Sequence, residues 1–266
     1  MLEIDFSLLI YGLIVGLCAG TVAGTIAGIA GLGGGLVYVP VYYAMMPGTG
    51  DSLALPVFAS MVAITITGFF SARAHFRLGH ISREALNYLL PGLIIGAAVG
   101  LWSTLRLPET LVLLGLAALN GWIAFDYGRA CRQKNIRQTI QLPLLSGPIG
   151  FVSGALGIGG GTMLVPLLRR FLSLRHAVGT SAVCGVLMAV SAALLNLIIE
   201  PGWYALLHEQ LFFLSASWLG IALVLPKTTG WSARLHEMTA EPVMRTILKG
   251  LFVFLSLTLL IAAIMA

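Results

Sequence analysis

The chain has little charge. Asp, Glu, Lys and Arg together make up 9% of its 266 residues while 58% are hydrophobic, against roughly a quarter charged in an ordinary soluble domain. A globular fold of this size has no interior large enough to hide that much apolar surface, so a soluble class is excluded and the chain belongs in a bilayer. Acidic side chains are missing from the middle of every apolar run: Asp126 and Glu200 stand at run ends and Asp51 lies between two runs. Carboxylates are the usual cation ligands and proton relays inside membranes, so their absence argues against a cation pump. The three cysteines, Cys18, Cys131 and Cys184, have no CxxC spacing, which excludes a disulfide framework or zinc site and leaves them as small packing residues. No GxxxxGK[ST] occurs, and GxGxxG fails at Leu36 and Thr162, so nucleotide binding is excluded. No run brings Ser, His and a carboxylate together, and His75 and His80, five apart, lie off a common helical face. We therefore expect no enzyme, no cofactor and no metal.

What is present is a series of apolar runs. They fall near 6–27, 32–46, 53–72, 85–105 and 109–126, then near 142–160, 161–173, 176–198, 205–225 and 247–265, against a hydrocarbon core of about 30 Å. They predict an all-α polytopic membrane bundle in two five-segment halves, 1–128 and 142–266, joined by a linker at 129–141. The opening run follows Glu3 and Asp5 in place of a basic stretch, so we read it as a retained span instead of a cleaved signal. Arg129, Arg132, Lys134 and Arg137 make the linker cytoplasmic by the positive-inside rule. Counting runs from there puts the loops around Arg77 and Arg83, around Arg169, Arg170 and Arg175, and around Lys227, Arg234 and Arg245 on the same side. Both termini then lie outside. The net charge of +5 is spread over these loops instead of one face, so nucleic acid is not expected as a partner. Trp102, Trp203 and Trp231 fall near run ends, where indole rings favour the headgroup region.

Two glycine stretches carry the strongest pattern. "GIAGLGGGLVYVP" at 28–40 and "GALGIGGGTMLVP" at 154–166 align without gaps, agreeing at seven of thirteen positions. With five runs per half, the halves are expected to form an inverted repeat whose glycine stretches enter from opposite faces. Gly16, Gly20, Gly24 and Gly28 recur at intervals of four and read as a close helix-packing surface. The triplets Gly33, Gly34, Gly35 and Gly159, Gly160, Gly161 differ, because three glycines in a row cost a helix interior about 1 kcal/mol each. We expect broken helices or hairpins there, tolerated only beside protein or a watery cavity. A helix beginning after each triplet, with Pro40 or Pro166 in its first turn, would present free N–H groups and a positive dipole end to an anion. Thr162 stands beside them. Ser60, Thr180 and Ser181 either donate to an oxyanion or bond back within their helices, and His75 is either a solvated interfacial residue or a gate.

The paired stretches, each followed by an element ending in serine, and "AHFRLGHI" at 74–81 resemble the TauE/SafE family of bacterial membrane transporters, the sulfite exporter family. The resemblance covers essentially the whole chain. It implies a multi-pass protein of the bacterial plasma membrane moving small sulfur oxyanions or organosulfonates. It assigns the triplets, Pro40, Pro166, Thr180 and Ser181 to the repeated motif, and His75, Arg77 and Gly79 to the loop motif. "VFAS" at 57–60 departs from the expected GTS-like element. We expect a secondary transporter exporting a small anion by alternating access around the two breaks, its partners being the anion and the lipid bilayer. The alternative is a non-transporting scaffold or sensor subunit, and the oligomeric state is left open.

Overall fold

In hydrocarbon each unpaired backbone N–H or C=O costs several kcal/mol, so apolar runs of this kind close their hydrogen bonds within themselves as helices. The computed structural model describes residues 6–30, 34–47, 53–127, 141–199, 201–238 and 241–265. Gly33, Asp51, Glu200 and most of the basic linker lie outside the described residues. Among the described residues there are helices and no strand: α1 (Phe6–Ala30), α2 (Gly35–Met45), α3 (Ala54–Arg77), α4 (Arg83–Thr104), α5 (Glu109–Tyr127), α6 (Gln141–Ala155), α7 (Gly161–Leu168), α8 (Leu174–Ile199), α9 (Gly202–Glu209), α10 (Leu211–Met238) and α11 (Glu241–Met265). Five segments, Phe6–Ala27, Ala54–Arg77, Arg83–Thr104, Leu174–Ile199 and Leu211–Ser232, are long and apolar enough to cross a membrane.

Several boundaries differ from the sequence expectation. The run at 32–46 becomes an 11-residue helix and that at 161–173 an 8-residue one, reaching only about 16 and 12 Å at 1.5 Å per residue. Neither crosses. The run at 142–160 stops as helix at Ala155, and that at 205–225 is cut at Gln210, leaving the short α9 before α10. Gly35 and Gly161, the last glycine of each triplet, are already helical. Pro40 and Pro166 are therefore the sixth residues of their helices, in the second turn instead of the first. Their rings deprive the carbonyls of Leu36 and Thr162 of the usual donor four residues on.

Helix α3 is the centre of the bundle: 72% of its most apolar window is buried, against 33–44% in the other four crossing segments. Around it, α1 runs along α10, α4 along α6, α5 along α11, and α3 against α8. Outward faces carry Ile10, Ile95, Leu144, Ile198, Phe254 and Ile264, all exposed, as a lipid-facing surface requires.

Glycine sets the two closest pairings. A Cβ on Gly12, Gly16, Gly20 or Gly24 of α1 would overlap, in turn, Phe213, Ser217, Ile221 and the Leu225–Thr228 turn of α10. Gly16, Gly20 and Gly24 thus pack as expected, with Gly12 in addition; the surroundings of Gly28 lie outside the description. Gly92, Gly96 and Gly100 of α4 meet Ser146, Gly147 and Phe151 of α6 in the same manner. In both pairs the contacts advance together along the chain, so each pair is parallel. Helices α3 and α8 are antiparallel: the His80 ring just beyond α3 lies 5.9 Å from His176 at the start of α8, while Phe58 near the start of α3 lies 4.9 Å from Trp203 just beyond α8. We call the end holding His75, Arg77, Arg83 and Arg175 the basic end.

Candidate functional site

The second glycine stretch resolves into a stop, a turn and a start. Helix α6 closes with the amide of Ile158 bonding the Ser153 carbonyl at 3.2 Å and that of Gly157 bonding Gly154 at 3.3 Å. This is the Schellman pattern, and it needs a left-handed residue at its penultimate position; Gly157 has φ 65°. Gly159 (φ 69°) turns the chain again and α7 begins at Gly161. In the first half α2 begins at Gly35, the equivalent position, behind Gly34 with φ 77°.

The two breaks touch. A Cβ on Gly35 would overlap the Ile158 carbonyl, one on Gly157 would press on Val57 and Val39, and one on Gly159 would press on Ile64. The Ser60 hydroxyl donates to the Gly157 carbonyl at 2.6 Å, tying α3 to the break. Every residue from Ser153 to Thr162 is buried. The short α2 is held in place by its hydroxyls: Tyr38 shares a 2.5 Å hydrogen bond with Thr67 of α3, and Tyr42 a 3.2 Å one with Ser217 of α10.

The start of α7 is the most polar feature at this depth. An α-helix leaves its first amides without intrahelical acceptors; the first bond here runs from Leu164 N to Gly160 O at 2.8 Å, and among the described residues Gly161, Thr162 and Met163 N–H have no backbone acceptor. Opposite them stands Gly185 of α8. A Cβ built there would have just two atoms within 4 Å, the amide nitrogens of Gly161 at 3.9 Å and Gly160 at 4.0 Å. Gly185 therefore leaves room for about a methyl group beside two amide nitrogens at the positive end of a helix dipole. Glu84 and Glu109 open α4 and α5 and Glu209 closes α9, away from this helix start.

The hydroxyls differ in what they do. Thr162 donates to Gly159 O at 3.2 Å, and Ser181 bonds back to Val178 O at 2.8 Å. Thr180 reaches across, accepting at 2.9 Å from the amide of Ser82 in the turn between α3 and α4. His75 is not a solvated interfacial side chain: it is 3% exposed, its ring 5.8 Å from His80. His75 and His80 come together because His80 leaves the helix, Gly79 (φ 71°) having turned the chain. Neither His75 nor the exposed Arg77 is brought to the breaks, since His75 lies about 22 Å along α3 from Ser60 at 1.5 Å per residue.

Four residues escaped the sequence reading. Trp203, expected at the headgroups, is fully buried, whereas Trp231 is exposed as expected and Trp102 stacks under Arg106 at 4.0 Å. Arg169, read as a loop charge, is buried at the C-terminal, negative end of α7. Gly185 and Tyr38 carry no local signal, because each matters through an element distant in sequence.

Residues 16–260 match the family model described as Sulfite exporter TauE/SafE. The chain is 30% identical over 236 residues to a probable membrane transporter protein of Haemophilus influenzae, covering 85% of this chain and 88% of that one. No solved structure matches.

Proposed function

Because the chain belongs to the sulfite exporter TauE/SafE family and is a multi-pass membrane transporter, we propose that its cargo is a small oxyanion such as sulfite or an organosulfonate, bound where the glycine breaks meet. One observation carries this: the amide nitrogens of Gly160 and Gly161 are the atoms nearest the side-chain-free surface of Gly185. Backbone N–H groups at a helix start favour negative charge, and in a buried setting they attract it more strongly than in water. Thr162 follows Gly161 in the chain, Ser60 bonds the Gly157 carbonyl of the same break, and Ser181 stands one turn before Gly185 on α8.

The repeat is read the same way. Exchanging the halves maps α1 on α10 to α6 on α4, two parallel glycine-lined pairs, and it maps α3 onto the antiparallel α8. That correspondence supports two inverted repeats, 1–128 and 142–266. With the basic loops inside a bacterial plasma membrane, both termini are outside. An interior-negative potential then drives one negative charge outward by about 2.3 kcal/mol per 100 mV, roughly fiftyfold in concentration, so export needs no coupled ion. The buried breaks imply alternating access, with α2 and α7 exposed to each side in turn.

The test is thermal stabilisation of purified protein by sulfite, thiosulfate, sulfoacetate, sulfate and carboxylates, since a ligand of the folded state raises its apparent stability. Saturable stabilisation by one or more oxyanions is expected, followed by flux of the same anion in proteoliposomes. A flat response to all of them, with no flux, refutes the reading.

A further inference from the structure

The hydroxyls around the start of α7 have their hydrogens engaged. Thr162 Oγ1 donates to Gly159 O at 3.2 Å, Ser60 Oγ to Gly157 O at 2.6 Å and Ser181 Oγ to Val178 O at 2.8 Å. The N–H groups of Gly161, Thr162 and Met163, which have no backbone acceptor among the described residues, are what is left to hold a negative charge. They belong to one helix end, where the first amides point the same way along the axis.

The rest of the surroundings is hydrocarbon and thioether. A Cβ built on Gly160 would lie 2.9 Å from Leu164 Cδ1, 3.4 Å from Met188 Cε and 3.6 Å from Met188 Sδ, and one on Gly159 would lie 3.0 Å from Ile64 Cγ2. Ile64, Leu164 and Met188 are fully buried and come from three helices, α3, α7 and α8. Met188 stands three residues after Gly185, on the same face of α8. Ile64 stands one turn after Ser60 on α3. An oxyanion seated on the amides thus has donors from one helix end and apolar side chains from three helices around it.

Tetrahedral sulfate carries acceptor oxygens in every direction, and each oxygen turned to hydrocarbon loses its water without a replacement. Sulfite and the alkanesulfonates differ. Their three oxygens share one side of the sulfur, and the other side holds a lone pair or a carbon chain. We propose that the site takes an anion of this one-sided shape, sulfite or a short alkanesulfonate, and turns sulfate away, with Met188 the specificity-determining residue. This rests on the anion reading of the same site and names which oxyanions it admits. The unbranched methionine chain, with three rotatable bonds, adapts to cargo of different length. Its thioether donates no hydrogen bond, so a fourth oxygen finds no partner there.

The experiment is thermal titration of the full-length purified protein with sulfite, methanesulfonate, propanesulfonate and sulfate. The parent is expected to bind methanesulfonate at least about tenfold more tightly than sulfate, since an unpaired oxygen is penalised more than a missing methylene. Met188→Gln keeps the length of the side chain and adds an amide donor. It is expected to tighten sulfate about tenfold, the scale of one hydrogen bond to a charged group, and to leave methanesulfonate within about twofold of the parent. Met188→Ala opens space without adding a donor, so propanesulfonate should gain about tenfold while sulfate stays weak. Sulfate bound by the parent as tightly as methanesulfonate overturns the proposal, as does an unchanged ratio of the two in Met188→Gln. Should Met188→Gln not elute as a folded species, Met188→Ala decides, and no gain for propanesulfonate overturns it. A parent that no oxyanion stabilises sinks the anion reading and the proposal together, whereas selective binding that Met188 variants leave unaltered sinks the proposal alone.

Discussion

Ser60 and Gly157 are 97 residues apart, and the hydroxyl of one donates to the carbonyl of the other at 2.6 Å. The bond joins the most buried helix of the first half to the carbonyl exposed where α6 stops. It ties α3 to the break three residues before Gly160.

Replacing Ser60 with alanine removes that donor and leaves a buried carbonyl short of a partner, at a cost of about 1–3 kcal/mol. The melting temperature of the purified protein should fall by several degrees, and anion-dependent stabilisation should fall with it. A Ser60→Ala protein that melts with the parent would show that the hydrogen bond does not hold the break.

Gly185→Ala separates binding from folding. The new methyl would meet its nearest neighbours at 3.9 and 4.0 Å, ordinary van der Waals contact, and alanine is the better helix former. Stability should hold or rise slightly while flux drops at least about tenfold, because the methyl occupies the space facing two amides. Full flux in Gly185→Ala proteoliposomes would move the site elsewhere.

The glycine seams distinguish contact from composition. Gly96→Ala would drive a Cβ into the Gly147 carbonyl and the Phe151 amide, whereas Gly147→Ala has nothing within 4 Å of its new atom. The first should destabilise by about 1–3 kcal/mol through forced separation of α4 and α6. The second should be neutral or stabilising by up to about 1 kcal/mol. Thermal melts of the two variants, side by side, check the assignment of which glycine faces which helix.

Thr180→Val removes the acceptor of the Ser82 amide while keeping the shape of the side chain. The turn from Leu78 to Ser82 should open more often, by about fivefold for each kcal/mol lost. Limited trypsin digestion at Arg77 and Arg83, both exposed, reads this out. Thr180→Ser should restore the parent rate.

Much of the fold was legible because the bilayer leaves an apolar run one economical backbone conformation, and because the thirteen-residue motif repeats. The glycine stretches marked breaks, since Gly34, Gly157 and Gly159 take the positive φ that a helix stop and a turn require. Lengths were less legible. Hydropathy does not register that Gly35 and Gly161 begin helices of 11 and 8 residues, because the flanking residues are equally apolar whether or not they coil. The cut at Gln210 was hidden in the same way, so Trp203 was expected at the headgroups instead of against Phe58. Gly185 could not be found from its neighbours, since its part lies in the side chain it lacks.

The two glycine seams cross the boundary between the halves. Helix α1 is locked to α10 and α4 to α6, backbone against backbone, at separations that admit no added methyl at Gly16 or Gly96. Seams this tight do not slide, so any rigid body of the bundle that includes α1 or α4 contains segments from both ends of the chain. Neither half of the chain can turn as a body without carrying a helix of the other.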